Sequence, residues 1–392
     1  MGKINSTLLD IEKKITEDYN YKDPKVFDVD AEIDDSLFVE RAQFKKLAEN
    51  LGLFLLRDVR NHSLVIGPRG SGKTALVKYL VKELVEFPKF PEFEPIYVNC
   101  RGFDNSYKII KEIIKERKKV AKDDLLNSFY DFVTKDGIKK IIILDEVDLL
   151  KEDSLLYHVT RDNKLNNLLM ILITKTPKFY KNLTEDVRSS MKKEDFAFDS
   201  YDYGKIREIL TKRAERGFYS YDPDILFQIA VENFNFANGD IRVGIKVLDS
   251  IFRYKDYPKA VPNGISGKKK IPEEIKIQIR STIEEEYQKI KTRIINNLND
   301  VKLAILNFAI HNKLSNEAFR QYKENTRGAI TKPYFFKMVD ELAYMDLLER
   351  KKIRINRFSV YEYSENIGEQ NITLIKDLLE QRGVLINNEE AT

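Results

Sequence analysis

The chain has one cysteine, three histidines and no tryptophan in 392 residues, and the first two scarcities close off whole classes of site. With Cys100 alone an intrachain disulfide is excluded, and its expected role is packing at the end of a strand. His62, His158 and His311 stand far apart with no cysteine nearby, which argues against a structural zinc site. Nowhere do about twenty uncharged apolar residues follow one another, so no membrane-spanning helix is expected. The first residues, Met1-Gly2-Lys3-Ile4-Asn5, lack a signal-peptide core, and a cytoplasmic location is the expectation. Net charge is also small, +4. Any nucleic-acid surface would have to come from a local concentration of basic residues.

What is present is an ordinary globular balance, 42% hydrophobic and 33% charged residues, over a length that suits two or three domains with their own cores. Up to about Phe198, short apolar strands alternate with amphipathic helices, the pattern of a parallel sheet covered on both faces. The expected strands are Leu64–Ile66, Ile96–Asn99, Ile141–Leu144, Leu169–Ile173 and Phe196–Phe198. From Tyr203 to about Tyr254 the pattern turns helical, with Gly204–Ala214, Asp224–Glu232 and Asp240–Phe252. Pro258–Lys270, rich in proline, glycine and lysine, reads as exposed linker. A long charged helix from about Pro272 then leads into a last unit.

The run Gly67-Pro68-Arg69-Gly70-Ser71-Gly72-Lys73-Thr74 follows an apolar strand and opens a helix, the setting in which Gly-x4-Gly-Lys-Thr is a phosphate-binding loop. Glycines let successive backbone N–H groups turn toward an anionic phosphate, and the helix adds its positive N-terminal end. Lys73 would reach the β- and γ-phosphates, and the Thr74 hydroxyl would hold Mg²⁺. A second element completes such a site. Ile141-Ile142-Ile143-Leu144-Asp145-Glu146 is an apolar strand ending in two acids, suited to delivering Asp145 toward Mg²⁺ and Glu146 toward an attacking water. Glu146 is the expected catalytic residue.

The last unit reads as helices Val301–Asn312, Asn316–Lys323 and Lys332–Glu349, then two short strands, Ile353–Ile355 and Val360–Tyr363, joined at Asn356-Arg357-Phe358. Three helices and a hairpin make a winged helix, whose third helix enters a major groove while the hairpin follows the backbone or minor groove. Phe336, Val339, Leu342 and Ala343 are expected to pack inward, leaving Lys332, Tyr334 and Lys337 outward. With Lys351, Lys352, Arg354 and Arg357 on the hairpin they form a basic cluster able to displace counterions from phosphates. The same face would also serve a protein contact.

Taken in order, GPRGSGKT, LDEVD, VRSSM (Val187–Met191), NGDIRVGIKVLD (Asn238–Asp249) and a winged helix resemble the archaeal replication initiators related to the origin recognition complex and cell-division-control loader proteins, of the AAA+ ATPase class. The likeness extends to Val26-Phe27, to Val39-Glu40-Arg41 and to Tyr97-Val98-Asn99-Cys100-Arg101. It implies an α/β fold with a RecA-like core over residues 1–200, a helical lid over 201–290 and a winged helix over 291–392. It implies ATP or ADP with Mg²⁺, double-stranded origin DNA, a nucleoid-associated location, a paralogous initiator and the replicative helicase as partners, and ATP hydrolysis used as a switch. By the same likeness Arg242 is the lid arginine that contacts nucleotide phosphates. Arg188 is the candidate arginine finger, although Glu185-Asp186 stand where the family has a Pro-Arg pair. Lys175, counted with Glu146 as a catalytic residue, falls where the family has a water-placing asparagine, unless Thr174 or Thr176 holds that position; a lysine can contact the γ-phosphate as a point charge but cannot accept a hydrogen bond from water, so slow hydrolysis is expected. Lys118 and Lys119, in the basic stretch Lys115–Lys122, correspond to a second DNA-contacting insertion or to the exposed end of a helix. The reading from a different class is a regulatory or signalling ATPase whose winged helix serves promoter or protein contacts; a third is a clamp-loader-like or helicase-loading ATPase that reads no DNA sequence.

Overall fold

In the computed structural model, which describes residues 3–118, 120–262, 269–312, 314–326, 330–345, 347–355, 358–365 and 367–384, the chain begins with two helices absent from the sequence reading. They are α1 (Lys3–Asp18) and α2 (Ala42–Arg57), separated by a 3₁₀ turn at Pro24–Phe27. Then come β1 (His62–Ile66), α3 (Lys73–Glu86), β2 (Phe93–Asn99), α4 (Ser106–Ile113), α5 (Lys122–Thr134), β3 (Lys139–Asp145) and α6 (Ser154–Arg161). They are followed by β4 (Leu168–Thr174), α7 (Lys178–Asn182), α8 (Glu185–Ser190) and β5 (Lys193–Ala197). The strands form one parallel sheet in the order β2-β3-β4-β1-β5.

Strand alternation sends Ile142, Leu144, Met170 and Leu172 into one core with α4, α5 and α6. Ile141, Ile143, Leu169, Ile171 and Ile173 go into a second core with α2 and α3. This is why β3 and β4 read as unbroken apolar runs: both their faces are covered. Because every strand points the same way, the C-terminal ends of β1, β3 and β4 lie side by side, and the residues just beyond them face one another.

The helical part comprises α9 (Tyr203–Gly217), α10 (Pro223–Phe236) and α11 (Ile241–Phe252). Aspartate caps each: the Asp202 carboxylate accepts from Lys205 N–H at 2.8 Å, Asp222 from Asp224 N–H at 2.9 Å and Asp240 from Arg242 N–H at 3.1 Å. Such caps satisfy donors that the first helical turn leaves unpaired. A two-residue ribbon, β6 (Val261–Pro262) with β7 (Lys269–Lys270), interrupts the expected linker, and residues 263–268 lie outside the described residues.

The chain divides into two compact units, Met1–Arg280 and Ser281–Thr392, the division falling within α12 (Glu273–Asn296). The second unit holds α13 (Asp300–His311), α14 (Ser315–Asn325), α15 (Lys332–Tyr344), the antiparallel pair β8 (Leu348–Ile355) and β9 (Phe358–Glu365), and α16 (Glu369–Gln381). This is the winged-helix order with one further helix. Three expectations are corrected. The third helix stops at Tyr344 rather than Glu349, because Leu347 and Leu348 turn into the core and the chain enters β8 there. Its inward face is Phe335, Met338, Val339 and Leu342, with Phe336 and Ala343 only half-buried. Phe335, fully buried, packs against Phe319 and Tyr322 with ring centroids 5.2 and 5.6 Å apart. The hairpin ladder is longer than expected, from Leu348↔Glu365 to Ile355↔Phe358; Asn356 and Arg357 lie outside the described residues.

Candidate nucleotide-binding site

The loop Gly67–Gly72 links the end of β1 to the start of α3. Gly72 is the residue before the helix and takes a left-handed conformation, φ 78°. A side chain there would be strained, and its Cβ would overlap the Tyr201 hydroxyl. Gly70 is left-handed as well, φ 67°, and its Cα faces Asp240. Ser71 turns its hydroxyl back to the Pro68 carbonyl at 2.9 Å, closing the loop. Lys73 is buried, and its ammonium donates to the carbonyls of Gly67 (2.6 Å) and Pro68 (2.7 Å). Burial lowers its pKa to about 8. Arg69, next to the exposed Pro68, is half-buried.

Thr74 and Asp145 meet across the end of the sheet: the hydroxyl donates to Asp145 Oδ2 at 2.8 Å. The same oxygen accepts from the Tyr97 hydroxyl of β2, also at 2.8 Å, and Oδ1 accepts from Glu146 N–H at 2.8 Å. Burial, and then the Asp145 charge, push the Tyr97 phenol well above its ordinary pKa, so it stays a donor. Among the described residues no group of three or more His, Cys, Asp and Glu is placed to hold a metal. The Thr74 and Asp145 oxygens instead fit a magnesium ion that takes its remaining ligands from water and nucleotide phosphate.

Glu146 sits in a left-handed conformation, φ 54°, just beyond β3. Its carboxylate is held from two sides. Arg101 approaches through Nε at 3.1 Å and NH2 at 3.2 Å, and Lys175 Nζ lies 3.6 Å from Oε1. Burial alone would raise the Glu146 carboxyl; Lys175 and Arg101 outweigh it and hold the group below the usual carboxylate range. Burial, with Arg69 nearby, lowers the Lys175 ammonium despite the Glu146 charge. Of Thr174, which ends β4, and the two residues after it, Lys175 is the one against Glu146. The Thr174 hydroxyl bonds Asp148 instead, and the Thr176 hydroxyl accepts from Lys178 N–H at 3.1 Å.

Arg242, in the first turn of α11, folds back on Asp240, with Nε donating to Oδ1 at 2.9 Å and NH2 to Oδ2. The start of α11 touches the loop directly, Ile241 N–H reaching the Gly70 carbonyl at 3.4 Å.

A family model described as an AAA domain matches residues 57–183. The ORC1-type DNA replication protein 1 of Sulfurisphaera tokodaii is 29% identical over 219 residues, 53% of this chain and 55% of its own length. That of Pyrococcus abyssi is 30% identical over 195 residues, 45% of this chain and 46% of its own length. The chain spans about half the length of the curated relatives it matches. Among solved structures, the Aeropyrum pernix ORC1 protein in complex with DNA superposes with a TM-score of 0.65 at 21% identity, over 93% of this chain and 99% of that one. Cdc6p of Pyrobaculum aerophilum gives a TM-score of 0.52 at 19% identity, over the same shares. Residues 57–183 are an AAA domain, and about half of the chain is similar to ORC1-type DNA replication proteins.

The remaining residues singled out from sequence belong to other elements. Arg188 is exposed on α8, where its carbonyl accepts from the Tyr180 hydroxyl at 2.9 Å; it is not among the groups gathered at Glu146. Neighbouring Asp186 pairs with Arg161 at 2.8 Å. Lys118 is exposed after α4, and Lys119 lies outside the described residues. On α15, Lys332, Tyr334 and Lys337 are all exposed, Tyr334 at 43%. Lys352 is exposed on β8; Arg354 pairs with Ser359 in the ladder, its side chain lying outside the described residues, as does all of Arg357.

Three residues of the site were given no role from sequence. Tyr97 and Arg101 belong to the YVNCR stretch, and only the register of β2 against β3, with Asn99 opposite Asp145, shows that they reach the acids. Arg41 donates to the Ser71 carbonyl at 2.7 Å and the Asp199 carbonyl at 2.9 Å, its guanidinium 4.4 Å from the Tyr201 ring. It ties the N-terminal segment to the loop from a distance no local pattern reveals.

Proposed function

We propose that this chain is an ATP-regulated replication initiator that binds double-stranded origin DNA and helps to recruit or load the replicative helicase, alongside a paralogous initiator. The observation that carries the nucleotide half is the Thr74–Asp145 hydrogen bond at the mouth of the loop, 2.8 Å, with Glu146 one residue beyond. The DNA half is supported by the exposed basic residues of α15 and β8, by relatives named as DNA replication proteins, and by the likeness in fold to an ORC1 protein solved in complex with DNA.

The backbone N–H groups of Arg69–Gly72 and the start of α3 cradle the phosphates, and Lys73 leaves its loop carbonyls to neutralise them. Thr74 and Asp145 hold Mg²⁺, which when bound offsets phosphate charge. Arg242 exchanges its Asp240 partner for phosphate, coupling the nucleotide state to the start of α11. Glu146 orients the attacking water once it is released from Arg101 and Lys175. That release makes hydrolysis slow, a switch rather than a source of sustained work.

The test is a salt titration of duplex binding by the full chain, with origin and unrelated fragments compared. Affinity should fall steeply with salt, prefer the origin fragment, and weaken in a Lys337→Ala variant by about 1–3 kcal/mol where the contact is to a base edge. Equal affinity for any duplex, with no loss in the variant, would reject the origin reading.

A further inference from the structure

Tyr97 has a position that packing does not call for. Its neighbours Ile96 and Val98 face the core beside α4, whereas Tyr97 projects from the opposite face of β2 and is 37% exposed. Residues 97 and 99 share that face, and the register sets them opposite Ile143 and Asp145. The long tyrosine side chain leans diagonally forward along the strand, so that its hydroxyl, rather than its ring, meets the end of β3. The Lys78 ammonium of α3 lies over the ring, 4.0 Å from its centroid.

The hydroxyl reaches Asp145 Oδ2, the oxygen that Thr74 also contacts, each at 2.8 Å. Thr74 is itself a proposed ligand, so its hydroxyl has a second duty. Tyr97 has none. Outer-shell donors of this kind fix the orientation of a ligating carboxylate, and their loss commonly weakens metal binding by about 10- to 100-fold.

We propose that Tyr97 is a positioning residue for Asp145, holding Oδ2 beside Thr74 so that the divalent cation accompanying the nucleotide binds at low concentration. The proposal rests on the nucleotide-site reading above. It assigns to β2 a part in cation binding that the phosphate loop and the acidic pair do not supply.

The experiment compares the full-length protein with its Tyr97→Phe variant, which keeps the ring and removes only the hydroxyl. ADP binding is measured by titration calorimetry in EDTA and across a magnesium series, with melting temperature recorded without nucleotide. The expected result is an unchanged melting temperature, unchanged ADP affinity in EDTA, and about a tenfold rise in the magnesium concentration that gives half of the cation-dependent gain. An unaltered magnesium dependence overturns the proposal. Lys78→Ala removes the charge over the ring and leaves the hydroxyl; a magnesium shift as large as that of Tyr97→Phe would assign the effect to packing and also overturn it. Absence of nucleotide binding by the unaltered protein, with or without magnesium, would overturn the site reading first and this assignment with it.

Discussion

The carboxylate of Asp240 rests against the backbone of Gly70, so closely that a Cβ on Gly70 would overlap Asp240 Oδ1. The cap of the third lid helix and the phosphate loop are therefore one contact surface. Gly70→Ala meets two costs: a left-handed backbone, about 1–2 kcal/mol for a residue with a side chain, and displacement of Asp240. Nucleotide affinity should fall at least about tenfold, the equivalent of 1.4 kcal/mol, read as a lost thermal shift with ADP. Adding Asp240→Ala should recover only part, since the backbone cost remains.

Glu146 is held by both Arg101 and Lys175. Lys175→Asn replaces one cation by an amide able to accept from water. Steady-state phosphate release should rise roughly threefold or more, as expected for losing about 0.6 kcal/mol of ion pairing at a half-buried site. An unchanged rate would remove the restraint from the account. Glu146→Gln should abolish turnover and leave ATP binding in place.

His62 is buried on β1, and its Nδ1 accepts from Met170 N–H at 3.0 Å, which requires the neutral ring. Burial, with Arg60 adding to it, lowers its pKa from 6.5 to about 3. Between those values the unfolded chain binds a proton that the folded chain does not, so stability falls as pH drops through the window. The slope reaches at most about 1.4 kcal/mol per pH unit. Urea unfolding at pH 7 and pH 5 should show the loss, and His62→Gln should flatten it while lowering stability at pH 7.

In the second unit, Phe335→Ala should cost about 3–5 kcal/mol, the range for a large aromatic removed from a packed core. Phe336→Ala, at a half-buried position, should cost less than half as much. Chemical denaturation of the two variants settles the order, and equal losses would contradict the packing described for α15.

Lys337 and Lys352 belong to different elements of the same winged helix and are both exposed. If each meets a phosphate, alanine at either should lower the slope of log affinity against log salt by about one. Slopes equal to that of the unaltered protein would show that neither meets one.

Much of this was legible because the chemistry is local in sequence. Gly67–Thr74 lies between a strand and a helix, and the two acids follow an apolar run, so sequence order alone locates the loop and the acidic pair. The lid helices are legible within a few residues from their helical pattern, and in the structure each carries its own aspartate cap. The errors came where tertiary packing decides. Nothing in the helical period separates Phe335 from Phe336, and only the fit against Phe319 and Tyr322 selects the inward ring. The third helix ends early because Leu347 and Leu348 are needed by the core. Tyr97 and Arg101 were passed over for a related reason: they act through strand register, which no spacing along one strand can give.

The last ladder pair between β1 and β4 joins Ile66 to Thr174, so Lys175 is the first residue free of the sheet. Its side chain, paired with Glu146, can be exchanged without disturbing the strand ladder or an apolar layer. If Lys175 restrains Glu146 as proposed, the lifetime of a bound triphosphate would be adjustable at one position, like the setting of a timer, while the scaffold that counts on Thr174 stays untouched.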